Sequence, residues 1–462
     1  MVVGIRNSTG VACHLSCALQ IIFHGIPVLR EAFILWAQHE CVGRSNCHEG
    51  DRESCNVIVL KTLGELFREM AQYRCSKSNS DEDAHDAIHA IDPSGYYTKL
   101  GIDTDNLGDA VKALRTLLHV LWVKPTTNEP LTSSSASSSS SMSVLQQILQ
   151  QSLGGGRTLQ RIVGCSSMKE ERIKEKEKDM VQPYPVSGNQ PTIRQCLEQP
   201  AVPIHGYVWP SEGEIGDTQG EGVSWETTKS TRVLQCPQHL LLHLQRFRYE
   251  GGRMVRLDQE TDVPPELSIG DAEGPNVLCL CGAILHVDDR DEKERQEDEG
   301  EQSGQSEGGH YVVVVKETQS TGIGYDHDGQ WYLIDDDKVH RLDKQIVPAV
   351  LSGRASLSQI SGVLSATLLV YRQCHNGKND RIETELLGDL ERALDDETAQ
   401  HEHAQQSLVG RRLKIRWAKG KFYSGLVQAY DPVTNKHTVL YDDNDVREYL
   451  LHKKVVQWID EE

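Results

Sequence analysis

The sequence lacks several things, and each absence narrows the field. It has no uninterrupted apolar run near the roughly 18 residues that a membrane-spanning helix needs, and no charged leader followed by a long apolar stretch. No membrane association is expected, and a cytoplasmic or nuclear location is. There is no Cys-x-x-Cys pair among the twelve cysteines, which are scattered through a long chain and are expected to be mostly free thiols. Cys279 and Cys281 would share one strand face and read as core positions, so no metal and no cofactor are expected. Hydrophobic residues make up only 38%, below the usual globular share, so part of the chain is not core. Cations are short as well: 48 Lys and Arg stand against 68 Asp and Glu, for a net charge of −20. That argues against broad electrostatic binding to nucleic acid or to an anionic membrane, while leaving room for a small local patch.

The 462 residues allow two or three domains. Residues 13–40 read as helical, with Leu15, Leu19, Ile22, Ile26, Leu29 and Phe33 at helical spacing. After a loop, residues 56–75 form a second amphipathic helix on Val57, Leu60, Leu63, Leu66, Phe67 and Met70. A third, capped by Asp105 or Asn106, carries Ala110, Leu114, Leu117, Leu118 and Leu121. From about residue 203 the texture turns to strands: 236–249, 277–287, 308–316, 329–339 and 366–372. Three polar segments interrupt this order. They are a serine tract at 131–144, a charge run at 168–180 (a solvated helix or a disordered stretch) and an acidic loop at 288–308, all read as surface insertions. Residues 378–407 look like a charged helical linker, and 409–460 like a compact run of short strands.

Three residues can assemble a cysteine hydrolase. Cys13 follows a Gly-flanked loop and opens an apolar helix, where the helix dipole and free backbone N–H groups favour a thiolate. His310, after two glycines and at the mouth of a strand, is the candidate base. Asp335, at the end of the strand Trp-Tyr-Leu-Ile, can fix the tautomer and orientation of the imidazole. On the residues alone a plainer reading stands beside this one. Cys13 is then a small buried hydrophobe, His310 one of 19 histidines, and the Asp triplet an ordinary turn.

The three segments, in this order, resemble the ubiquitin-specific proteases. The family's cysteine box is matched by Gly4, Ile5, Asn7, Gly10, Cys13, Leu19 and Gln20, allowing one extra residue at Ser8-Thr9. Its Gly-His-Tyr box is matched by Gly309, His310 and Tyr311. The following Trp-Tyr-x-x-Asp-Asp-x-x-Val is matched by Trp331, Tyr332, Asp335, Asp336 and Val339. The segment CPQHLLLHLQRFRY resembles the family's Leu- and Arg-Phe-bearing strand. The resemblance covers roughly residues 1–376. It implies an α+β, papain-like fold of palm, thumb and fingers, with disordered insertions near 131–180 and 288–308. It also implies hydrolysis of (iso)peptide bonds at the C-terminal Gly of ubiquitin through a thioester on Cys13, with ubiquitin and ubiquitinated proteins as partners. Asn7 would donate to the oxyanion, and Asp109 and Tyr311 would line the path of the ubiquitin tail.

The departures are specific. The extra residue puts Asn7 six positions before the cysteine instead of five, and losing one oxyanion donor costs about 10²–10³ in rate. Lys112 stands where the family has a glutamate facing the arginine-bearing tail, which implies weaker or altered ubiquitin binding. The family's zinc ribbon is absent. A second reading is therefore a catalytically weak or inactive scaffold that binds ubiquitin or chromatin, and a third is action on a ubiquitin-like modifier.

The last segment, 409–460, resembles a Tudor domain of the chromatin and cohesion-factor type. The match is carried by Val409-Gly410, Trp417, Phe422-Tyr423-x-Gly425, Tyr430-Asp431, His437 and Tyr441-Asp442-Asp443-x-Asp445. The resemblance implies a small all-β barrel and a methylated protein or chromatin as partner. Trp417, Tyr423 and Tyr441 could form an aromatic cage with Asp443 or Asp445 as its acidic wall, or they could be barrel core. The basic run of Arg411, Arg412, Lys414, Arg416, Lys419 and Lys421 could instead touch nucleic acid.

Overall fold

The computed structural model describes residues 2–7, 12–39, 52–76, 90–100, 108–121, 140–154, 156–165, 171–180, 184–187, 191–197, 199–204, 226–250, 253–257, 260–271, 274–288, 310–317, 329–360, 362–374, 377–417 and 420–459. The helices are α1 (Cys13–Gly25), α2 (Pro27–Gln38), α3 (Arg52–Ser76), α4 (Ser94–Lys99), α5 (Ala110–Leu121), α6 (Ser141–Leu153), α7 (Ile193–Leu197), α8 (Val347–Leu351) and α9 (Gly377–Gln406). The first eleven strands are β1 (Gly4–Ile5), β2 (Ala90–Ile91), β3 (Gly156–Cys165), β4 (Glu171–Met180), β5 (Tyr184–Ser187), β6 (Gln199–Ile204), β7 (Glu226–Gln235), β8 (His239–Gln245), β9 (Phe247–Glu250), β10 (Arg253–Arg256) and β11 (Glu266–Asp271). The remainder are β12 (Gly274–Asp288), β13 (His310–Lys316), β14 (Trp331–Asp335), β15 (Lys338–Leu342), β16 (Val363–Gln373), β17 (Arg412–Arg416), β18 (Phe422–Asp431), β19 (Lys436–Tyr441), β20 (Val446–Tyr449) and β21 (Val456–Ile459).

The expected helix over 13–40 is two helices. Pro27 sits in the first turn of α2, where its fixed φ suits a helix start, and the two axes bend by 100° at Ile26. Every residue of α1 is buried, the mark of a helix enclosed on all sides. Leu15, Leu19, Ile21 and Ile22 are fully enclosed, each contributing about 1.5–3 kcal/mol by leaving water. Among the described residues no single helix is long and apolar enough to cross a membrane.

The N-terminal part, with the long α9, is α+β. Its main sheet runs β15-β14-β13-β12-β16-β8-β5, with β11 also on β12. One face packs on α1 and carries Cys281, Ile284, Val313, Val315, Leu368 and Val370 into the helical core. The other face holds Leu278, Leu280, Leu285, Val312, Val314 and Leu369 in a second core. The β-bulge between Leu280 and Gly282 shifts the phase of β12, so Leu278 and Leu280 before it share one core with Ala283 and Leu285 after it. A separate sheet of four strands runs β4-β3-β7-β6.

Two expectations are corrected here. The stretch from 140 to 180 is not a disordered insertion where it is described. Ser140 caps α6 by accepting from the Ser143 N–H at 3.3 Å, and Val144, Leu145, Ile148 and Leu149 lie in the helical core. The charge run is strand β4, paired with β3 along its whole length (Gly156 to Met180, Cys165 to Glu171). Its alternating charges suit a solvated strand as well as a helix, and helical propensity lost to pairing. Residues 131–139 and the acidic loop lie outside the described residues, as do the expected caps Asp105 and Asn106. Asp109 caps α5 instead, its Oδ1 accepting from the Lys112 N–H at 2.6 Å.

The second correction is α9, which is no mere linker. Leu390 and Leu394 are fully buried in the helical core. Its Glu397 accepts hydrogen bonds from the Ser141 N–H and Oγ, both at 2.9 Å, capping α6 from 256 residues away. Near its start, buried Glu383 meets buried Arg372 of β16 at 3.2 Å. One pair of cysteines is bridged: Cys279 and Cys374 are disulfide-bonded, with Cα atoms 5.6 Å apart, within the usual range for such a bridge. No disulfide involves Cys13, Cys17, Cys165, Cys196, Cys236 or Cys281, so the expectation of mostly unbridged thiols holds among the described residues.

The C-terminal unit is an antiparallel sheet in the order β20-β19-β18-β17-β21. Its two end strands are not paired to each other, so the expected closed barrel is not formed. Leu413, Ile415, Val427, Val439, Tyr441 and Leu451 make its core.

Candidate active site

Three elements meet at Cys13. It is the first residue of α1 and is 2% exposed. α1 packs on β13, whose first residue is His310. β14 ends on Asp335, and antiparallel pairing of β13 with β14 brings the two ends to the same side of the sheet. The sequence builds this locally. Val312 to Val315 are four β-branched residues that hold a buried strand, and the tight turn after β14 uses Asp336 at φ +52°, a conformation Asp tolerates better than most residues.

His310 Nε2 and Asp335 Oδ1 are 2.6 Å apart. That bond occupies Nε2 and leaves Nδ1 as the nitrogen for the thiol, with the Cys13 side chain in hydrogen-bonding reach of the ring. The Asp335 hydrogen bond, and then that of Cys13, push the His310 pKa up to about 10 against the pull of burial. The same bond holds the Asp335 carboxyl below its usual range. An imidazolium beside the thiol is what stabilises a thiolate nucleophile. His310, Asp335 and Asp336 also offer one ligand atom each within 4.8 Å of one another. A cation could bridge them only by displacing the His310–Asp335 hydrogen bond.

Asn7 lies on the approach to α1. Its Oδ1 accepts from the Ala12 N–H at 3.1 Å, and its Nδ2 donates to Asp336 Oδ2 at 3.0 Å. Ser8 and Thr9 lie outside the described residues, but Asn7 still spans from the Asp turn to the α1 N-terminus. β1 fixes that entry. The Ile5 N–H donates to the Asp336 carbonyl at 2.9 Å, and a Cβ on Gly4 would stand 2.6 Å from the Asp337 carbonyl oxygen, so only glycine fits.

Asp109 and Tyr311 face each other, with the Tyr311 hydroxyl 3.4 Å from Asp109 Oδ2. Tyr311 also stacks edge-on with His286 at 5.1 Å. Gly108 sits so close to α1 that a Cβ there would lie 2.6 Å from His14 Nε2. Lys112 is exposed, one turn along α5 from Asp109.

Sequence reasoning missed three members of this neighbourhood. Asp336 was matched to the family's Asp-Asp pair but given no role, yet it is half-buried, and desolvation lifts its pKa despite the Asn7 bond. Tyr97 left no signal; its hydroxyl is 2.8 Å from Ser16 Oγ of α1. Cys17, one turn after Cys13, is a buried thiol whose pKa is raised first by burial and then by Cys13.

In the C-terminal unit, Trp417 stands 4.8 Å from Tyr423 and 5.3 Å from Tyr441, ring to ring. The cluster is part core and part surface: Tyr441 is 3% exposed, and Tyr423 41%. Trp417 Nε1 donates to the Tyr441 hydroxyl at 2.8 Å, which donates to Tyr449 at 3.0 Å. Asp443 Oδ1 accepts from the Asp445 N–H at 3.1 Å within its own turn. The guanidinium of Arg447 lies 4.2 Å above the Trp417 ring, held from behind by Asp445 at 2.7 Å. Lys419, the remaining member of the basic run, lies outside the described residues.

A family model described as Ubiquitin carboxyl-terminal hydrolase matches residues 3–371. Ubiquitin carboxyl-terminal hydrolase 12 of Salmo salar is 30% identical over 154 residues, covering 32% of this chain and 34% of that protein. Sister chromatid cohesion protein PDS5 homolog C of Arabidopsis thaliana is 41% identical over 54 residues, 12% of this chain and 6% of that protein. The chain thus spans about a third of one of these relatives and far less of the other. Among solved structures, the SAGA Ubp8/Sgf11/Sus1/Sgf73 DUB module bound to ubiquitin aldehyde aligns with a TM-score of 0.47 at 15% identity, covering 80% of this chain and 69% of that chain.

Proposed function

The chain belongs to the ubiquitin carboxyl-terminal hydrolase family, and from that membership we propose that it is a thiol-dependent deubiquitinase in which Cys13, His310 and Asp335 carry the reaction. The observation that carries this reading is the 2.6 Å bond from His310 to Asp335 beside a cysteine at a helix N-terminus. The Cys13 thiolate attacks the carbonyl carbon of ubiquitin's C-terminal Gly. The charge that develops on the carbonyl oxygen is met by backbone N–H groups at the start of α1 and by the Asn7 side chain. His310 gives its proton to the departing amine, and a thioester remains on Cys13. Water, deprotonated by His310, then attacks the thioester carbonyl, releasing the ubiquitin carboxylate and the thiol. Asp335 holds the imidazole in place through both halves. The tail would enter between Asp109 of α5 and Tyr311 of β13.

The C-terminal unit we read as a Tudor-like domain that directs the enzyme to a nuclear or cytoplasmic partner carrying a methylated residue. Its support is the Trp417–Tyr423–Tyr441 cluster and a cohesion-protein match of about this unit's length. Arg447 shows that the Trp417 face accepts a cation.

The test is turnover of a fluorogenic ubiquitin-amide substrate by the purified chain. Hydrolysis that disappears in Cys13→Ala supports the hydrolase. Binding of ubiquitin without hydrolysis would favour the scaffold reading, for which the Ser8-Thr9 insertion is the motive.

A further inference from the structure

The C-terminal unit carries the charge that the rest of the chain lacks. Residues 409–460 hold ten Lys and Arg against six Asp and Glu, in a chain whose net charge is −20. The fold sorts part of this excess onto one surface. Along β17, Leu413 and Ile415 are fully buried, while Lys414 and Arg416 are exposed and Arg412 is half-buried. Residues two apart on a strand share a face and stand about 7 Å from each other, so the three cations form a row. On β18, Ser424 lies opposite Lys414 and Phe422 opposite Arg416. On β21, Gln457 lies opposite Lys414 and Ile459 opposite Arg412. Phe422 is 38% exposed at the end of the row.

This surface is distinct from the aromatic cluster. Tyr423 pairs with Ile415 and Tyr441 with Gly425, in phase with the buried core and so on the opposite side of the sheet. α9 also reaches the unit on that opposite side, where the Gln405 carbonyl lies 3.0 Å from Nε2 of the buried His437. Arg412 is paired with Asp442 at 2.6 Å. Lys414 and Arg416 make no ion pair among the described residues.

We propose that this face binds single-stranded nucleic acid, with the cationic row following one sugar–phosphate backbone and Phe422 offering its ring to a base. The exposed ring decides between polyanions: stacking on an aromatic side chain is open to every base, whereas an acidic peptide gains nothing from it. A single row on a strand suits one backbone, and a duplex would present two. The inference is independent of the hydrolase reading, because it uses no residue of the catalytic half.

The experiment is fluorescence anisotropy of the full chain with a labelled 20-nucleotide oligothymidylate, titrated at about 50 mM and 200 mM salt. The expected result is saturable binding that weakens with salt. The Lys414→Gln/Arg416→Gln double variant should bind at least tenfold more weakly. Its slope of log affinity against log salt should be shallower by about 1.4, because each phosphate left without its cation on a single strand removes about 0.7. Phe422→Ala should weaken binding with the slope unchanged. Circular dichroism of each variant checks that the exposed substitutions leave the fold intact. Three results would overturn the proposal: no binding by the native chain at 50 mM salt, equal affinity in the double variant, or displacement by a 20-residue polyglutamate as readily as by unlabelled oligonucleotide.

Discussion

Asp336 holds Asn7. The Asp336 carboxylate accepts from the Asn7 side-chain amide at 3.0 Å, while the other end of that amide accepts from the Ala12 N–H at 3.1 Å. Asn7 is thereby strung between the turn after β14 and the residue that precedes Cys13. Asn7 thus stays in contact with the α1 N-terminus.

The two residues should act as a unit. Asn7→Ala should lower kcat on a ubiquitin-amide substrate by about 10²–10³ with little change in KM, the cost of one oxyanion donor. Asp336→Ala should lower kcat by a smaller factor, and the double variant should be no worse than Asn7→Ala alone. Additive losses in steady-state kinetics would separate the two roles.

His310 should stay protonated well above neutral pH. Its pKa, about 10, lies above the usual 6.5 because Asp335 and Cys13 face it. The interaction therefore contributes stability that is complete below about pH 6.5 and is lost as the pH rises through 10. The Asp335 side of the pair, whose pKa is lowered, contributes above the ordinary carboxyl range near 3.8 and is lost on acidification. The pair thus supports the fold most between about pH 4 and 6.5. An NMR titration should find the His310 midpoint well above 7 in the native chain and shifted down in Asp335→Asn. Equal midpoints would mean that Asp335 does not hold the ring.

The long α9 should be indispensable to the catalytic half. Leu394→Ala should cost about 2–5 kcal/mol in urea denaturation, because the side chain is fully enclosed. Glu383→Ala leaves the buried Arg372 with Asp380 as its remaining carboxylate and should cost about 1–3 kcal/mol. A free-standing linker would lose nothing from either change.

Lys112→Glu should raise kcat/KM for ubiquitin substrates by about threefold at low salt, mostly through KM, and the gain should fade as salt rises. Lys112 is exposed one turn from Asp109, where the arginine-bearing tail would pass. An unchanged KM would move the tail elsewhere.

Arg447→Ala should uncover the ring of Trp417 and strengthen binding of a trimethyl-lysine peptide, read by quenching of tryptophan fluorescence. The native chain should bind more weakly because Arg447 already lies 4.2 Å from that ring. Identical weak binding by both would place the cluster with the core that encloses Tyr441.

Much of the site was legible because its chemistry is local. A thiol at the start of an apolar helix, a histidine at the mouth of a valine strand and an aspartate at a strand end each announce themselves within about ten residues. What escaped depended on distant partners. Pro27 marked a helix start that apolar periodicity alone ran through. The charge run of β4 has no tertiary contact readable in its composition; β3 pairing decides it. α9 looked like a linker because only Leu390, Leu394 and a few neighbours are buried, and its capping of α6 joins residues 256 apart. Asp336 was visible, but nothing near it in sequence points to Asn7, 329 positions away. The closed barrel was inferred from resemblance, and the unpaired β20 and β21 ends replace it with an open sheet.

The central claim is that Cys13 is the nucleophile of a deubiquitinase. It is tested most directly by incubating the full chain with ubiquitin bearing a C-terminal electrophile and locating the adduct by peptide mass spectrometry. The account predicts a single adduct on Cys13, abolished in Cys13→Ala and slowed in His310→Ala. No adduct on the native chain, or the same adduct in Cys13→Ala, would contradict it.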